Sequence, residues 1–306
     1  MRVNQELLFR FETGLDPRRL ERSPVPADLL GYGEISAIFE IKALPGLACK
    51  RMPLFRDRRA AQDYEALYQE YCRLLGEAGL KLPASATAII EVPDRPVVLY
   101  IIQTKMPAER VGNRFIQNVS EAETGRLIER VLVENAKVWK YNEDRKPGLE
   151  LAVDGQISNW VAAEEEPEGL YYLDTSTPFI KKNGRHQLDP ELLLQAAPAF
   201  LRWLLRWLFV DEVMNRYYDP RKNLIDLAAN LFKEQRPDLV PVAIEAVNRV
   251  LPGRLAPLSR KEVEKYYRED KLIWTLFLFM RRLDRRLTTG ILRRRYEFIL
   301  PGRIKR

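Results

Sequence analysis

Histidine and cysteine are scarce in this sequence of 306 residues, which contains one histidine, His186, and two cysteines, Cys49 and Cys72. The cysteines form no C-x-x-C pair, so neither a disulfide framework nor a zinc cluster is supported. A Ser-His-Asp or Cys-His arrangement would depend on the single histidine, which lies in a polar segment. Because no G-x-S-x-G segment is present either, hydrolase chemistry is disfavoured.

Long apolar runs are also lacking. No run reaches the roughly 18 apolar residues that identify a membrane-spanning helix. The stretch 196–210 is interrupted by Arg202 and Arg206, and the first residues contain no apolar core typical of a signal peptide. We therefore expect a cytoplasmic protein without a transmembrane span.

Charge of either sign is abundant but nearly balanced, with 50 lysines and arginines against 43 acidic residues and a net charge of +7. This excess suits an anionic ligand such as a nucleotide. The basic segment 281–306 predicts a solvated helix face followed by a charged terminus, which could contact an acidic surface. Trp203 and Trp207, beside the two arginines of 196–210, favour a core helix over a nucleic-acid platform, so a nucleic-acid partner is not expected.

The residues up to about Ile102 predict strands and one helix. Alternating apolar positions in 31–44, followed by a Pro-Gly turn, predict a hairpin. Apolar residues at helical spacing predict a helix over 58–77. Two further strands are predicted over 85–92 and 95–103, with Pro-Asp at the turn between them.

The remaining chain predicts mostly helices. Ser120 and Glu123 form a capping-box sequence at the start of a long helix. Two short apolar runs, 160–163 and 170–173, predict a hairpin, and amphipathic helices dominate from Pro190 onward. The order predicts an α+β protein with a small antiparallel-sheet lobe, residues 1–104, and a larger, mainly helical lobe, residues 105–306.

Several residues match the needs of phosphoryl transfer, which requires a backbone cradle and a cation at the phosphates. Gly31, Gly33 and Ser36 form a G-x-G-x-x-S segment that opens onto a strand, and glycines let a backbone approach phosphate closely. Lys50, at the end of L-A-C-K on the next strand, is the candidate cation. These residues predict a phosphate-binding edge of the sheet.

The helix over 58–77 should supply a carboxylate that fixes this lysine. Glu70 is preferred because it shares a helix face with Leu67 and Leu74, and Glu65 remains an alternative.

A second group of residues provides the remaining parts. Asp154 and Asn159 have the spacing D-x-x-x-x-N, in which the aspartate accepts the hydroxyl proton and the asparagine binds Mg²⁺. Asp174 ends the second strand of the predicted hairpin, where a further Mg²⁺ ligand is needed. The hairpin would bring Asn159 and Asp174 together.

These motifs, between Gly31 and Phe179, resemble those of the protein-kinase-like superfamily, closest to its aminoglycoside-phosphotransferase-like branch. The resemblance implies a two-lobed fold with ATP and Mg²⁺ bound in a cleft between the lobes. It also implies that Gln103 and Lys105 lie near the adenine, through backbone groups. Asp154 would then orient an acceptor hydroxyl.

The sequence departs from the family pattern at several places. Ala152 and Val153 stand where histidine and arginine usually precede the catalytic aspartate, Thr175 and Ser176 follow Asp174, and no A-P-E segment is present. We expect a Mg-ATP-dependent phosphotransferase acting on a small molecule or an atypical acceptor hydroxyl. The alternative is a pseudokinase-like nucleotide-binding or scaffolding protein without turnover. The sequence identifies neither the acceptor nor the preference for ATP over GTP.

Overall fold

The computed structural model of the protein describes Met1 and residues 3–33, 35–145, 148–163, 169–194, 211–250 and 255–301. The predicted core helix with Trp203 and Trp207 lies outside the described residues.

The N-terminal part is a sheet with helices on both of its faces. Its elements are α1 (Gln5–Gly14), β1 (Ala27–Tyr32), β2 (Ala37–Ile41), β3 (Leu47–Phe55), α2 (Arg58–Glu77), β4 (Ser85–Ile90) and β5 (Val97–Thr104). The five strands are antiparallel, in the order β1-β2-β3-β5-β4. The predicted α+β class and α2 are confirmed, whereas the prediction of one helix missed α1.

The two faces of the sheet bury different apolar groups. On the outer face, Leu8 and Phe11 of α1 pack against residues such as Phe39. On the inner face, Met52 and Leu99 join a second core that includes α2 and the helical part of the chain. Each large side chain buried in this way contributes roughly 1.5–3 kcal/mol. Because the inner core crosses from the sheet to the helices, the two parts share one hydrophobic interior.

The rest of the described chain is mainly helical, with five short strands that pair in two small sheets. Its elements are α3 (Gly112–Phe115), α4 (Glu121–Asp144), β6 (Leu149–Leu151), β7 (Trp160–Ala162), β8 (Leu170–Tyr172), β9 (Ile180–Lys182), β10 (Arg185–His186), α5 (Pro190–Leu194), α6 (Asp211–Arg216), α7 (Pro220–Lys233), α8 (Val240–Val250) and α9 (Arg260–Arg286). The capping box at Ser120 and the antiparallel β7–β8 hairpin are both confirmed. No helix in the described ranges is both long and apolar enough to cross a membrane.

The basic C-terminal segment was predicted as a solvated helix face followed by a charged terminus. Arg282, Arg286, Arg293 and Arg294 are exposed and residues 302–306 lie outside the described residues, but other parts of the segment are buried. Arg281 is 2% exposed, and the chain after α9 returns to the outer face of the sheet, where Tyr296 and Ile299 are buried. There Glu297 meets Arg51 of β3, with Arg51 Nη2 lying 2.9 Å from Glu297 Oε2. Pattern analysis missed this docking because it depends on a partner more than two hundred residues earlier in the chain.

Charged side chains join this segment to the sheet and to α1. Arg51 donates to both carboxylate oxygens of Glu12 at 2.6 and 2.7 Å, and Arg95 contacts Glu12 and Glu297. We call these four residues the outer-face ion network. Tyr100 adds a hydrogen bond to Glu12 at 2.6 Å. Two arginines therefore face two glutamates in a largely buried network, and Arg295 adds a third cation, with its Nε 2.9 Å from Glu297 Oε1.

Candidate functional site

A lysine from the sheet meets an aspartate from the helical part at the junction between them. Lys50 of β3, which is 8% exposed, donates to Asp174 Oδ1 at 3.0 Å and to Ser176 Oγ at 2.6 Å. The Ser176 hydroxyl also donates to Asp174 Oδ1, at 2.9 Å. Burial alone would raise the pKa of Asp174, but Lys50 and the hydrogen bonds outweigh it and hold that pKa below its usual value.

The β7–β8 hairpin positions Asp174 beside the loop that carries Asp154. Within this hairpin the Leu173 N–H donates to the Asn159 carbonyl at 2.8 Å, immediately before Asp174. Asn159 Nδ2 donates to the Asp154 carbonyl at 3.2 Å, and the Asp154 N–H donates to Tyr172 Oη at 3.0 Å. The structure thus brings together Lys50, Asp174, Asn159 and Asp154.

Asp154 carries the strongest electrostatic perturbation in this site. Burial, followed by repulsion from Asp226 and Asp174, raises the pKa of Asp154 to about 8. A hydrogen bond from the Gln156 N–H to Asp154 Oδ1, at 3.1 Å, acts in the opposite direction. Carboxyl groups with pKa values near neutrality are suited to accept a proton from an acceptor hydroxyl.

The helix α7 packs against the Asp154 loop. Asn223 Nδ2 donates to the Val153 carbonyl at 2.7 Å, and Gln156 Nε2 donates to Asp226 Oδ2 at 2.9 Å. A Cβ atom at Gly155 would lie 2.4 Å from the side-chain oxygen of Asn223. Position 155 therefore requires glycine because the loop lies directly against the helix.

Sequence reasoning missed the polar residues of α7. Asn223, Asp226 and Asn230 are all buried, and they recur three and four positions apart on a helix that is otherwise largely apolar. That spacing places the three residues on one face of the helix. A polar stripe on an otherwise apolar helix is the sequence signal by which they could have been found.

The predicted ion pair between Lys50 and a glutamate of α2 is not formed. Glu70 instead binds Lys182 of β9 at 2.9 Å, and Glu65 accepts a hydrogen bond from Thr87 Oγ1. The residue of α2 that faces the site is Tyr64, whose hydroxyl donates to the Ser176 carbonyl at 2.5 Å. Lys50 is held by the Asp174 segment, so no α2 carboxylate is needed to fix it.

The turn over 33–36 lies near Lys50 along the sheet. The Gly33 N–H donates to the Ser36 carbonyl at 3.0 Å, which closes the turn between β1 and β2. Ile38, two residues after Ser36, is the cross-strand partner of Lys50. Gly31 lies within β1 and has room for a Cβ, 3.8 Å from the nearest Ile38 atom, so packing does not require a glycine there.

The residues predicted near the adenine make contacts of their own. Gln103 Nε2 donates to the Leu173 carbonyl at 3.3 Å and to Thr175 Oγ1 at 3.1 Å, which places Gln103 beside the Asp174 segment. The Lys105 N–H instead donates to the Gly46 carbonyl at 2.8 Å. This bond occupies the Lys105 N–H, and the prediction that Lys105 lies near the adenine through a backbone group stays a prediction.

Two side chains of the site carry oxygens of the kind that a divalent cation prefers. Asp174 Oδ1 is occupied by Lys50 and Ser176, which leaves its Oδ2 for a ligand, and Asn159 donates through Nδ2, which leaves its Oδ1. Across the described ranges, no three His, Cys, Asp or Glu side chains form a metal-binding group. Two protein oxygens nevertheless suit Mg²⁺, which usually keeps several waters and shares its ligands with phosphates.

The fold and site define an α+β protein with a carboxylate cluster facing one buried lysine. A family model matches residues 19–285, and the chain therefore belongs to that family, described as "Family of unknown function (DUF6206)". No curated protein matches the chain.

Proposed function

We propose that the protein is a Mg-ATP-dependent phosphotransferase with a protein-kinase-like arrangement of two lobes. Its acceptor is the hydroxyl group of a small molecule or another atypical substrate. The contact between Lys50 and Asp174 carries the proposal, because it joins a cation of the sheet to a carboxylate of the helical part at 3.0 Å. Asp154 and Asn159 adjoin this contact, so one site contains the groups that phosphoryl transfer requires.

Each residue has a role that follows from its position. Lys50 binds phosphate oxygens, and Asp174 and Asn159 hold Mg²⁺ through their remaining oxygens. Asp154 orients the acceptor hydroxyl and takes its proton. Bound Mg²⁺ supplies positive charge that offsets the repulsion from Asp174, and this lowers the pKa of Asp154 towards the ionised form that a base needs.

The second function is a pseudokinase-like protein that binds nucleotide or acts as a scaffold without turnover, and one observation favours the scaffold. The N–H groups of Thr104 and Lys105, where a base would be bound, donate to Ala84 and Gly46 within the protein. A nucleotide would have to displace these bonds or use other groups.

Thermal unfolding with ATP tests the proposed site, since a ligand that binds the folded state raises the melting temperature by mass action. We expect a larger rise with ATP and Mg²⁺ than with ATP and a chelator. The Mg²⁺-dependent part should disappear in Asp174→Asn and persist in Asp63→Asn, a matched change at an exposed position of α2.

Failure of ATP, GTP and ADP to shift the melting temperature at about millimolar concentration would contradict the phosphotransferase and leave only the scaffold, because even a dissociation constant near 1 mM gives a measurable shift. Asp154→Asn separates the two. It should retain Mg-ATP binding and, in a phosphotransferase, lose transfer of the γ-phosphoryl group to the acceptor hydroxyl, which is measured as ADP formation. Wild-type protein that binds Mg-ATP and forms no ADP with any hydroxyl acceptor would favour the scaffold.

A further inference from the structure

A cavity of about 470 Å³ lies on the outer side of the sheet, away from Lys50 and Asp174. It is bounded by the segment after α1, the end of β1, the end of α9 and the returning C-terminal segment. Its lining residues are Pro17, Arg18, Leu20, Glu21, Tyr32, Arg285, Arg286, Thr289, Ile299 and Leu300. This volume is within the roughly 300–1,000 Å³ range of small-molecule sites.

The cavity has an excess of positive charge. Three arginines, Arg18, Arg285 and Arg286, face one acid, Glu21. Within the described ranges these three side chains have no hydrogen-bond or salt-bridge partner, whereas the arginines of the outer-face ion network are all paired with carboxylates. Bringing three like charges together without partners raises the free energy of the empty cavity, and an anion would lower it.

The lining also contains apolar residues. Leu20, Ile299 and Leu300 line the cavity, and Ile299 is 7% exposed. Tyr32, which is 45% exposed, adds an aromatic ring and a hydroxyl group. The lining therefore combines cationic donors with a surface that accepts hydrocarbon.

Two contacts hold the walls of this cavity in place. Glu297, two residues before Ile299, is fixed by the outer-face ion network, and Thr289 Oγ1 donates to the Arg285 carbonyl at 2.7 Å. Anchored walls reduce the ordering cost of binding.

We propose that this cavity binds a small amphiphile that carries a phosphomonoester and an apolar group. A phosphomonoester carries about −1.5 to −2 charges at neutral pH, close to the excess of three arginines over one glutamate. Arginine pairs with phosphate in a bidentate geometry, and the apolar group rests on Leu20, Ile299 and Leu300. The site is independent of the proposed phosphotransferase centre.

Calorimetric titration with three probes tests the proposal. Dihexanoyl phosphatidic acid presents the phosphomonoester and the apolar chains, dihexanoyl phosphatidylcholine keeps the chains with a zwitterionic head group, and inorganic phosphate has no chains. We expect saturable binding of the phosphatidic acid at least about tenfold tighter than that of the other two probes. Equal affinity for phosphatidylcholine would overturn phosphate recognition, and equal affinity for inorganic phosphate would overturn the apolar part.

Two double variants with the same change in charge locate the site. Arg18→Gln with Arg286→Gln removes two exposed cavity arginines and should weaken phosphatidic acid binding by about tenfold or more. Arg19→Gln with Arg22→Gln removes two exposed arginines of the same N-terminal segment that do not line the cavity, and it should change the affinity less than about twofold. Equal losses in the two variants, or no saturable binding by the wild-type protein, would overturn the proposal.

Discussion

Replacing Asp154 by asparagine should stabilise the protein at alkaline pH while it removes the proposed base. The side chain of Asp154 lies against Asp226 and Asp174, and the pKa of Asp154 is raised to about 8. In the unfolded chain the same carboxyl group has a pKa near 4. The folded state therefore holds this proton more tightly than the unfolded state.

The sign of the pH dependence follows from this difference. Below about pH 4 the carboxyl is protonated in both states, and as pH rises towards 8 the unfolded state loses its proton first. The contribution of Asp154 to stability therefore falls across this range. The full difference corresponds to on the order of 5 kcal/mol, but Asp154 retains some contact with water, so we expect about 1–3 kcal/mol.

Asparagine does not titrate, and its Oδ1 can keep the hydrogen bond from the Gln156 N–H. Urea unfolding at pH 5 and pH 8 should show Asp154→Asn close to wild type at the lower pH and about 1–3 kcal/mol more stable at the higher pH. The control Asp63→Asn, which alters an exposed pair with Arg59, should stay within about 0.5 kcal/mol at both values. Parallel pH curves for wild type and Asp154→Asn would refute the reasoning.

Two further substitutions test the parts of the fold that hold the sheet and the Asp154 loop. Glu12→Gln should cost about 3–5 kcal/mol in urea unfolding at pH 7, because it removes one of the two carboxylates that pair with buried Arg51 and the one carboxylate that binds it through two hydrogen bonds. Burial raises the pKa of Glu12, but Arg51 outweighs it and lowers the pKa overall. Wild type should therefore lose the stability that ionised Glu12 contributes as pH falls below about 4, and the variant should not. Equal changes in the free energy of unfolding of wild type and Glu12→Gln below about pH 4 would contradict this. Gly112→Ala would place a Cβ 2.1 Å from the Ile157 carbonyl oxygen, so we expect a loss of at least about 1–3 kcal/mol and weaker Mg-ATP binding, and a variant of unchanged stability would argue against the close packing.

Local patterns predicted the elements whose signals lie within about twenty residues of sequence. The helix 58–77 begins at an aspartate cap and ends before Gly79, and its apolar residues recur at helical spacing. The β7–β8 hairpin and the capping box of α4 are of the same kind. The residues of these elements determine their local structure, so periodicity and capping were enough to predict them.

Contacts between distant segments explain what the sequence did not predict. Glu70 was preferred as the partner of Lys50, but a helix face does not reveal which strand will contact it. In the structure Glu70 contacts Lys182 of β9. Asp226 has no local feature that connects it to Asp154, which precedes it by seventy-two positions. The relation arises only when α7 packs beneath the loop. The return of the C-terminal segment to the outer face of the sheet was not predicted for the same reason.

The distribution of charge separates the two ionic clusters of the protein. In the outer-face ion network two arginines face two glutamates, and the hydrogen bonds between them are satisfied within the protein. At the junction of sheet and helices, Asp154, Asp174 and Asp226 lie close together while Lys50 pairs with Asp174 alone. Two further cations of the described residues lie nearby: Arg216 is bound at 3.0 Å to Asp270, and Lys233 donates to Gln156 Oε1 at 3.0 Å. Because this cluster remains short of positive charge, part of its negative charge is uncompensated in the folded protein. A ligand that brings a divalent cation would lower the free energy of the cluster.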